Sequence, residues 1–454
     1  MINVVVLSLD CVRPEALSCY PESFRYLHTA PYSADTPHID AIAADGLVFS
    51  RAFCQAPFTP ASHASLFTGT NPYRHGIRGM FDYKLDADLP TLAEVFSDAG
   101  YATGGFIGAH ALSSQYGLAR GFDTYDEEFK AASENWMVGN RRPGTEVTDR
   151  ALAWLDDRDG PYLLFAHYFD AHDGGDTSPE RRKAGDTDEE TTGALRSLYN
   201  SHLRDLDEAA GAPFKRLYRV AQSLDPDNRY GRRYHLQQTH RIDEQIGRLV
   251  ETLKHRGEYD ETAIVVLADH GDAFGEHGEY GHREYVYDST IRVPMIVKPP
   301  TSSGVPRGTH SGVVRSVDVY PTLTNEAGIS GPPVDGESLY HVASGEAEDR
   351  MAYAETRLEE SPSERDNLVS DLVCLRGRRW KLIRDELTGS LKLYDVETDP
   401  NEQHDLSDDR SGVREDLLAE LDSMLAQAPD KDETLLTAEE QAAVEENLEG
   451  LGYL

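Results

Sequence analysis

The chain has 454 residues, 39% of them hydrophobic, which suits one large core with a smaller appended domain and excludes a disordered chain. It carries 80 acidic against 44 basic residues, a net charge of −36, and such a surface repels phosphate backbones and excludes general nucleic-acid binding. Four scattered cysteines without a Cys-x-x-Cys pair exclude a disulfide framework.

In chain order, the first element is a β-branched run, Val4 to Leu9, with the pattern of a buried parallel strand. It has no basic flank and no cleavage pattern, and it is too short to span a bilayer. No later stretch reaches about 18 apolar residues, so the expectation is a soluble, cytoplasmic protein without a membrane partner. The run ends at Asp10. In open α/β sheets ligands gather outside the carboxyl ends of strands, so an acidic residue there is a site candidate.

The pattern recurs twice. Tyr162–Ala166 leads into His167, Asp170 and His172, and Ala263–Ala268 leads into Asp269-His270. Apolar positions from Leu236 to Leu253 recur at helical spacing and predict a helix closed by Gly257, feeding the next strand as in an α/β layer fold. Residues 173–232 are polar and Arg-rich and read as an insertion over the site. After residue 330 the texture changes. Short runs at Arg379–Ile383 and Leu391–Asp395 predict a small antiparallel sheet over 336–410. Val413, Leu417, Leu418, Leu421, Met424 and Leu425 form one helical packing stripe within 411–454, a segment that ends as an acidic, solvated tail.

Asp10, Asp269 and His270 supply two carboxylates and an imidazole, a mixed O/N set suited to Mn²⁺ or Zn²⁺ and compatible with Ca²⁺ or Mg²⁺. The adjacent Asp269-His270 pair needs a turn of the backbone, and Gly271 is expected to permit it.

A longer stretch adds to this: Cys54-Gln55-Ala56-Pro57-Phe58-Thr59-Pro60-Ala61-Ser62-His63-Ala64-Ser65-Leu66-Phe67-Thr68-Gly69, followed by Asn71-Pro72-Tyr73-Arg74-His75-Gly76. It resembles the signature of the sulfatase family, a branch of the alkaline phosphatase superfamily. Asp10-Cys11-Val12-Arg13, Asp269-His270-Gly271-Asp272, Arg292–Val297, Val317–Leu323 and Leu393–Glu402 are similar to further family segments, so the resemblance covers nearly the whole chain. It implies an alkaline-phosphatase-like α/β/α sandwich with a mixed, mostly parallel sheet over 1–335, plus a small C-terminal antiparallel α+β subdomain.

The resemblance also implies roles. Thr59 stands at the nucleophile position and would join Asp10, Asp269 and His270 around one divalent ion. His172 and His282 would contact the ester oxygens or protonate the leaving group, and His63 would orient Thr59 or the bound anion. A second ion could draw on His167, Asp170, His172 and His282. Arg13 reads as a brace, Ser62 and Ser65 as partners of loop backbone, His75 and His277 as structural, and Trp380 and Lys381 as packing and surface residues.

The departures from the family pattern are equally informative. The family converts a Cys or Ser at the nucleophile position to formylglycine, and this chain has Thr59. Cys11 stands where calcium sulfatases have Asp, and His270 where they have Asn. A formylglycine hydrate expels sulfate by eliminating to the aldehyde. A threonine ester has no such exit and must be attacked directly by water, which is established chemistry for phosphoryl groups. The expectation is a metal-dependent hydrolase of a small-molecule or glycan ester, phosphate mono- or diester favoured over sulfate. A phospho-alcohol transferase and a non-catalytic binding protein are the alternatives. Only nine of the 44 basic residues are Lys, and this acidic, Lys-poor composition resembles that of halophilic proteins.

Overall fold

The computed structural model describes residues 1–20, 34–81, 83–129, 141–172, 229–345, 350–359, 368–429 and 434–449. Most of the expected insertion, 173–228, lies outside them, as does the carboxyl end.

The main sheet is built from β1 (Asn3–Leu9), β2 (Leu47–Phe53), β3 (Ala102–Phe106), β4 (Thr124–Asp126), β5 (Tyr162–Tyr168) and β6 (Thr262–Leu267), with β7 (Ala273–Phe274) and β8 (Tyr280–Gly281) forming a separate ribbon. β9 (Arg292–Val293), β10 (Met295–Lys298) and β11 (Gly308–Arg315) complete it in the order β11-β2-β10-β6-β1-β5-β3-β4, with β9 on β2. The three runs singled out by sequence are the three central neighbours. β1 pairs in parallel with β5, Ser8 opposite His167, and with β6, Ser8 opposite Leu267. Their continuous apolar character follows from burial on both faces.

Two groups of helices flank this sheet. Pro37–Ala44, Gly144–Asp156 and Arg229–His255 pack on one another, and Thr59–Thr68 packs with Leu92–Asp98 and Val319–Ala327. The helix expected over 236–253 is thus longer at both ends.

The C-terminal sheet is antiparallel: β12 (Ala352–Glu359), β13 (Leu368–Arg376), β14 (Trp380–Asp385) and β15 (Leu391–Asp395) pair in sequence. Its two faces alternate with period two. Tyr353, Val373, Leu375, Leu382 and Leu393 meet Leu417 and Leu421 of the helix Ser411–Leu425, while Ala352, Ala354, Cys374, Ile383 and Tyr394 join the main core. The stripe predicted at 413–425 is therefore the layer that covers the outer face of this sheet.

Two expectations change here. The acidic segment after 428 is not simply solvated. Lys84 N–H donates to Thr434 O at 2.9 Å, Lys84 Nζ meets Glu440 Oε1 at 2.6 Å, and Val444 is buried. Lys381 is not a surface residue either. It is fully buried, on the face of β14 turned to the main domain, with Nζ 2.9 Å from Asp288 Oδ1 and 2.6 Å from Glu402 Oε1. Arg376 Nη2 reaches Asp288 Oδ2 at 2.9 Å. Burial alone would raise the Asp288 carboxyl, but Arg376 and Lys381 outweigh it and hold it well below the usual range. Glu402 is pushed up to about 7 by burial.

Removing one member of a buried ionic cluster strands the others without compensation. Lys381→Met is expected to destabilise the fold by about 3–5 kcal/mol, read as a fall in the denaturant midpoint. An unchanged midpoint would show that Arg376 alone satisfies Asp288.

Candidate active site

Because β6, β1 and β5 are parallel neighbours, their carboxyl ends open onto one edge. Asp10 follows β1 directly, and its N–H continues the ladder to Tyr168 O at 2.9 Å. Cys11 then adopts φ +62°, a left-handed conformation uncommon for a residue with a Cβ. The kink turns the Cys11 amide onto Asp269 Oδ1 at 3.3 Å, tying the end of β1 to the end of β6.

Thr59 opens the helix Thr59–Thr68, all of whose residues are buried. Pro sits in its first turn and Gly69 closes it at φ +66°. The helix N-terminus thus faces the sheet edge, a favourable place for negative charge.

The four expected metal residues converge here. Thr59 Oγ1 donates to Asp10 Oδ2 at 3.3 Å and lies 3.2 Å from His270 Nε2. His270 Nδ1–H donates to Gly271 O at 2.9 Å, so Nε2 faces inward, 3.4 Å from Asp269 Oδ2 and 4.0 Å from Asp10 Oδ1.

Two buried carboxylate oxygens, Asp10 Oδ1 and Asp269 Oδ2, have no hydrogen-bond donor among the described residues. Burial opposes ionisation of Asp10, but the hydrogen bond from His167 and the nearby imidazoles outweigh it and hold its pKa well below the usual range. Asp269 is pushed up to about 6, by burial and by the Asp10 charge. Burial opposes the charged form of His270, but Asp269 and Asp10 outweigh it and raise the imidazole above its ordinary value. Orphaned carboxylate oxygens that face an imidazole nitrogen and a hydroxyl fit a divalent cation.

The supporting contacts are specific. His167 Nδ1 accepts from Gly108 N–H at 3.4 Å, which leaves Nε2–H to donate to Asp10 Oδ2 at 3.1 Å. Ser62 Oγ donates to Asp269 O at 2.6 Å, the backbone role expected of it. Arg13 braces the loop through Asp272 O at 3.0 Å and Glu276 Oε1 at 2.8 Å. Ser65 Oγ lies 2.9 Å from His75 Nε2, a side-chain partner where loop backbone was expected, and His277 stacks on Tyr287.

His63 is buried between Ser8 Oγ at 2.9 Å and the carbonyl of Thr59 at 2.8 Å. That carbonyl must accept, so Nδ1 carries the proton and Nε2 accepts from Ser8, in keeping with burial pushing this imidazole down to about 3. His63 grips the backbone of Thr59, not its hydroxyl.

His172 and His282 lie beside these groups. The His282 ring is 4.3 Å from that of His270 and 5.0 Å from that of His172, which stacks on Phe169. Asp170 does not join them. Its carboxylate accepts from the Gly144 amide at 2.9 and 3.1 Å, at the start of the helix Gly144–Asp156, so it is not placed as a ligand of a second ion. His235 is a residue the sequence does not single out. Its Nε2–H donates to the Cys11 carbonyl at 3.0 Å, and no local pattern marks it.

Gly271 plays a different part from the one expected. Its φ is not positive, but a Cβ there would collide with the Ser289 carbonyl oxygen. The residue is glycine because the segment after β6 passes tightly against the Ser289 backbone, not because of the turn itself. The Gly271 amide donates to Thr290 O at 2.8 Å, which fixes the approach. Gly271→Ala is expected to displace Asp269-His270, destabilising the fold and lowering metal affinity by about 10–100-fold. Wild-type metal affinity in the folded variant, measured by titration, would refute this.

A parallel-centred sheet between helices, with two carboxylates, an imidazole and a hydroxyl at its carboxyl edge, defines an α/β/α protein with groups at that edge that could hold a metal ion. Similarity to known proteins narrows the class. The family model described as "Sulfatase" matches residues 3–329, and "N-sulphoglucosamine sulphohydrolase, C-terminal" matches 275–431. The chain belongs to the sulfatase family, and so to the hydrolases of sulfuric and phosphoric esters. It is 25% identical to the N-acetylglucosamine-6-O-sulfatase of Bacteroides thetaiotaomicron, over 89% of this chain and 82% of that protein. It is 24% identical to the choline-sulfatase of Rhizobium meliloti, over 90% and 83%. Among solved structures, the phosphonate monoester hydrolase of Agrobacterium radiobacter superposes with a TM-score of 0.68 at 20% identity, covering 94% of this chain and 96% of that one. The alkaline-phosphatase-like fold is therefore the one the sequence implied. No helix among the described residues is long and apolar enough to cross a membrane.

Proposed function

We propose that the protein hydrolyses a phosphate mono- or diester of a small molecule or glycan, in preference to a sulfate ester, through a covalent Thr59 intermediate. The observation that carries the reading is Thr59 itself: a hydroxyl at a buried helix N-terminus, 3.2 Å from His270 Nε2 and 3.3 Å from Asp10 Oδ2.

Asp10, Asp269, His270 and Thr59 would hold one divalent ion, of Mn²⁺, Zn²⁺ or Ca²⁺ type. When bound, such an ion supplies Lewis-acid chemistry, lowering the pKa of a coordinated hydroxyl and drawing charge from the ester oxygens. The chain's own groups do the rest. Thr59 Oγ1 loses its proton to solvent and forms the bond to phosphorus in line as the bond from phosphorus to the departing ester oxygen breaks. His63 keeps the first helical turn, and so Thr59, in place. His172 and His282 face the oxygens and the leaving group, where an imidazole N–H stabilises developing charge. Water then cleaves the Thr59 ester. His167 holds Asp10 in orientation throughout.

The test is hydrolysis of matched nitrophenyl phosphate, phosphate diester and sulfate by the metal-loaded protein in high and low salt. A phosphate ester is expected to turn over fastest, with Thr59→Ala at least about a thousandfold slower and Thr59→Ser retaining activity. Fastest turnover of the sulfate would overturn the phosphate preference. Full activity in Thr59→Ala would overturn the covalent intermediate. The net charge of −36 supports a halophilic setting, in which activity is retained or raised in high salt. Best activity in low salt would count against that setting alone.

A further inference from the structure

We propose that His235 is a positioning residue for the metal cluster, and that with Arg232 it makes the first turns of the helix Arg229–His255 a clasp across the two loops that carry Asp10 and Asp269. The proposal rests on the reading of Asp10, Thr59, Asp269 and His270 as the metal site.

The Cys11 peptide lies at the centre of the clasp. It directly follows Asp10, its amide donates to Asp269 Oδ1 at 3.3 Å, and its carbonyl accepts from His235 Nε2–H at 3.0 Å. Both ends of the residue are thus held, which is what keeps a residue with a Cβ at φ +62°. Burial pushes the His235 imidazole down to about 4, so the ring is neutral, with its proton on the nitrogen that meets the carbonyl. The same ring packs edge-on against Phe274, with centroids 5.3 Å apart. Without the His235 N–H, a carbonyl of the buried Cys11 loses this donor, and the left-handed kink loses one of its two restraints.

One turn earlier, Arg232 grips the other loop. Its Nη2 reaches Glu276 Oε1 at 3.3 Å, and Arg13, in the loop after β1, reaches the same oxygen at 2.8 Å. The two guanidinium groups lie 5.6 Å (Arg13) and 5.9 Å (Arg232) from the Phe274 ring. Phe274 and Glu276 belong to the segment that runs from Asp269-His270 to His282. The helix itself is fixed away from the site. Ile242, Ile246, Leu249 and Leu253 are buried, and Asp243 Oδ1 accepts from the Ile39 amide at 2.7 Å. An anchored helix therefore sets the relative position of the segments after β1 and β6, and with it the gap between the two carboxylates where the ion would sit.

The experiment titrates Mn²⁺ into the metal-stripped full chain by calorimetry, beside the denaturant midpoint of each variant. His235→Phe keeps the ring volume and removes the donor, whereas His235→Gln keeps an N–H at the reach of Nε2. The Phe variant is expected to weaken metal binding about 10–100-fold, and the Gln variant to stay within about threefold of wild type. Wild-type affinity in a folded His235→Phe, or equal losses in the Phe and Gln variants, would overturn the proposal. A lower midpoint with unchanged metal affinity is the mark of a merely structural contact and would overturn it too. If His235→Phe does not fold, the partly exposed Arg232 decides. Arg232→Met should weaken binding about threefold to tenfold, and unchanged affinity there would overturn the clasp. Asp269→Asn reports on the metal site itself. Binding unchanged by that substitution would overturn the reading on which the clasp rests. Binding lost in Asp269→Asn but intact in His235→Phe would overturn the positioning role alone.

Discussion

The structure is organised around two carboxylates that are buried together. Asp10 and Asp269 follow adjacent parallel strands, and each keeps one oxygen without a donor among the described residues. Burying like charges in one place is costly unless a cation compensates. The surroundings supply what the chain can: the His167 hydrogen bond to Asp10, the Cys11 and His270 amides to Asp269, and the inward-facing His270 Nε2. None of these would converge if β6, β1 and β5 were not neighbours.

Much of this is legible in the sequence. Parallel strands buried on both faces read as unbroken apolar runs, so the three central strands stand out, and each announces its polar terminus. The convergence of Asp10, Thr59, Asp269 and His270 follows from motif resemblance and strand ends together. Lys381 is not legible, because in an alternating strand a lysine normally marks the solvent face, and only the docking of the sheet reverses that. Asp170 misleads because a metal-capable side chain beside His172 can equally cap a helix, and the Gly144 amide is too far along the chain to betray it. Gly271 is explained by the wrong property, since close approach of Ser289 is a long-range contact.

Family membership and residue choice answer different questions here. The sulfatase match fixes the scaffold and the general reaction. On the proposed reading, Thr59, Cys11 and His270 are where this chain parts from the family pattern. On that reading those positions belong to the candidate metal and nucleophile cluster and not to the frame, in keeping with a fold shared among relatives named for different activities.

The buried lysine of the small sheet has a consequence for how the chain can be divided. Lys381 and Arg376 hold Asp288, which starts the short helix Asp288–Ile291. The Ser289 and Thr290 carbonyls of that helix bracket Gly271, the residue after His270. The two matched family segments overlap over 275–329. A cut between catalytic and C-terminal units would therefore remove the anchor of the segment that seats the histidine, and the first 335 residues alone should not be treated as a minimal enzyme.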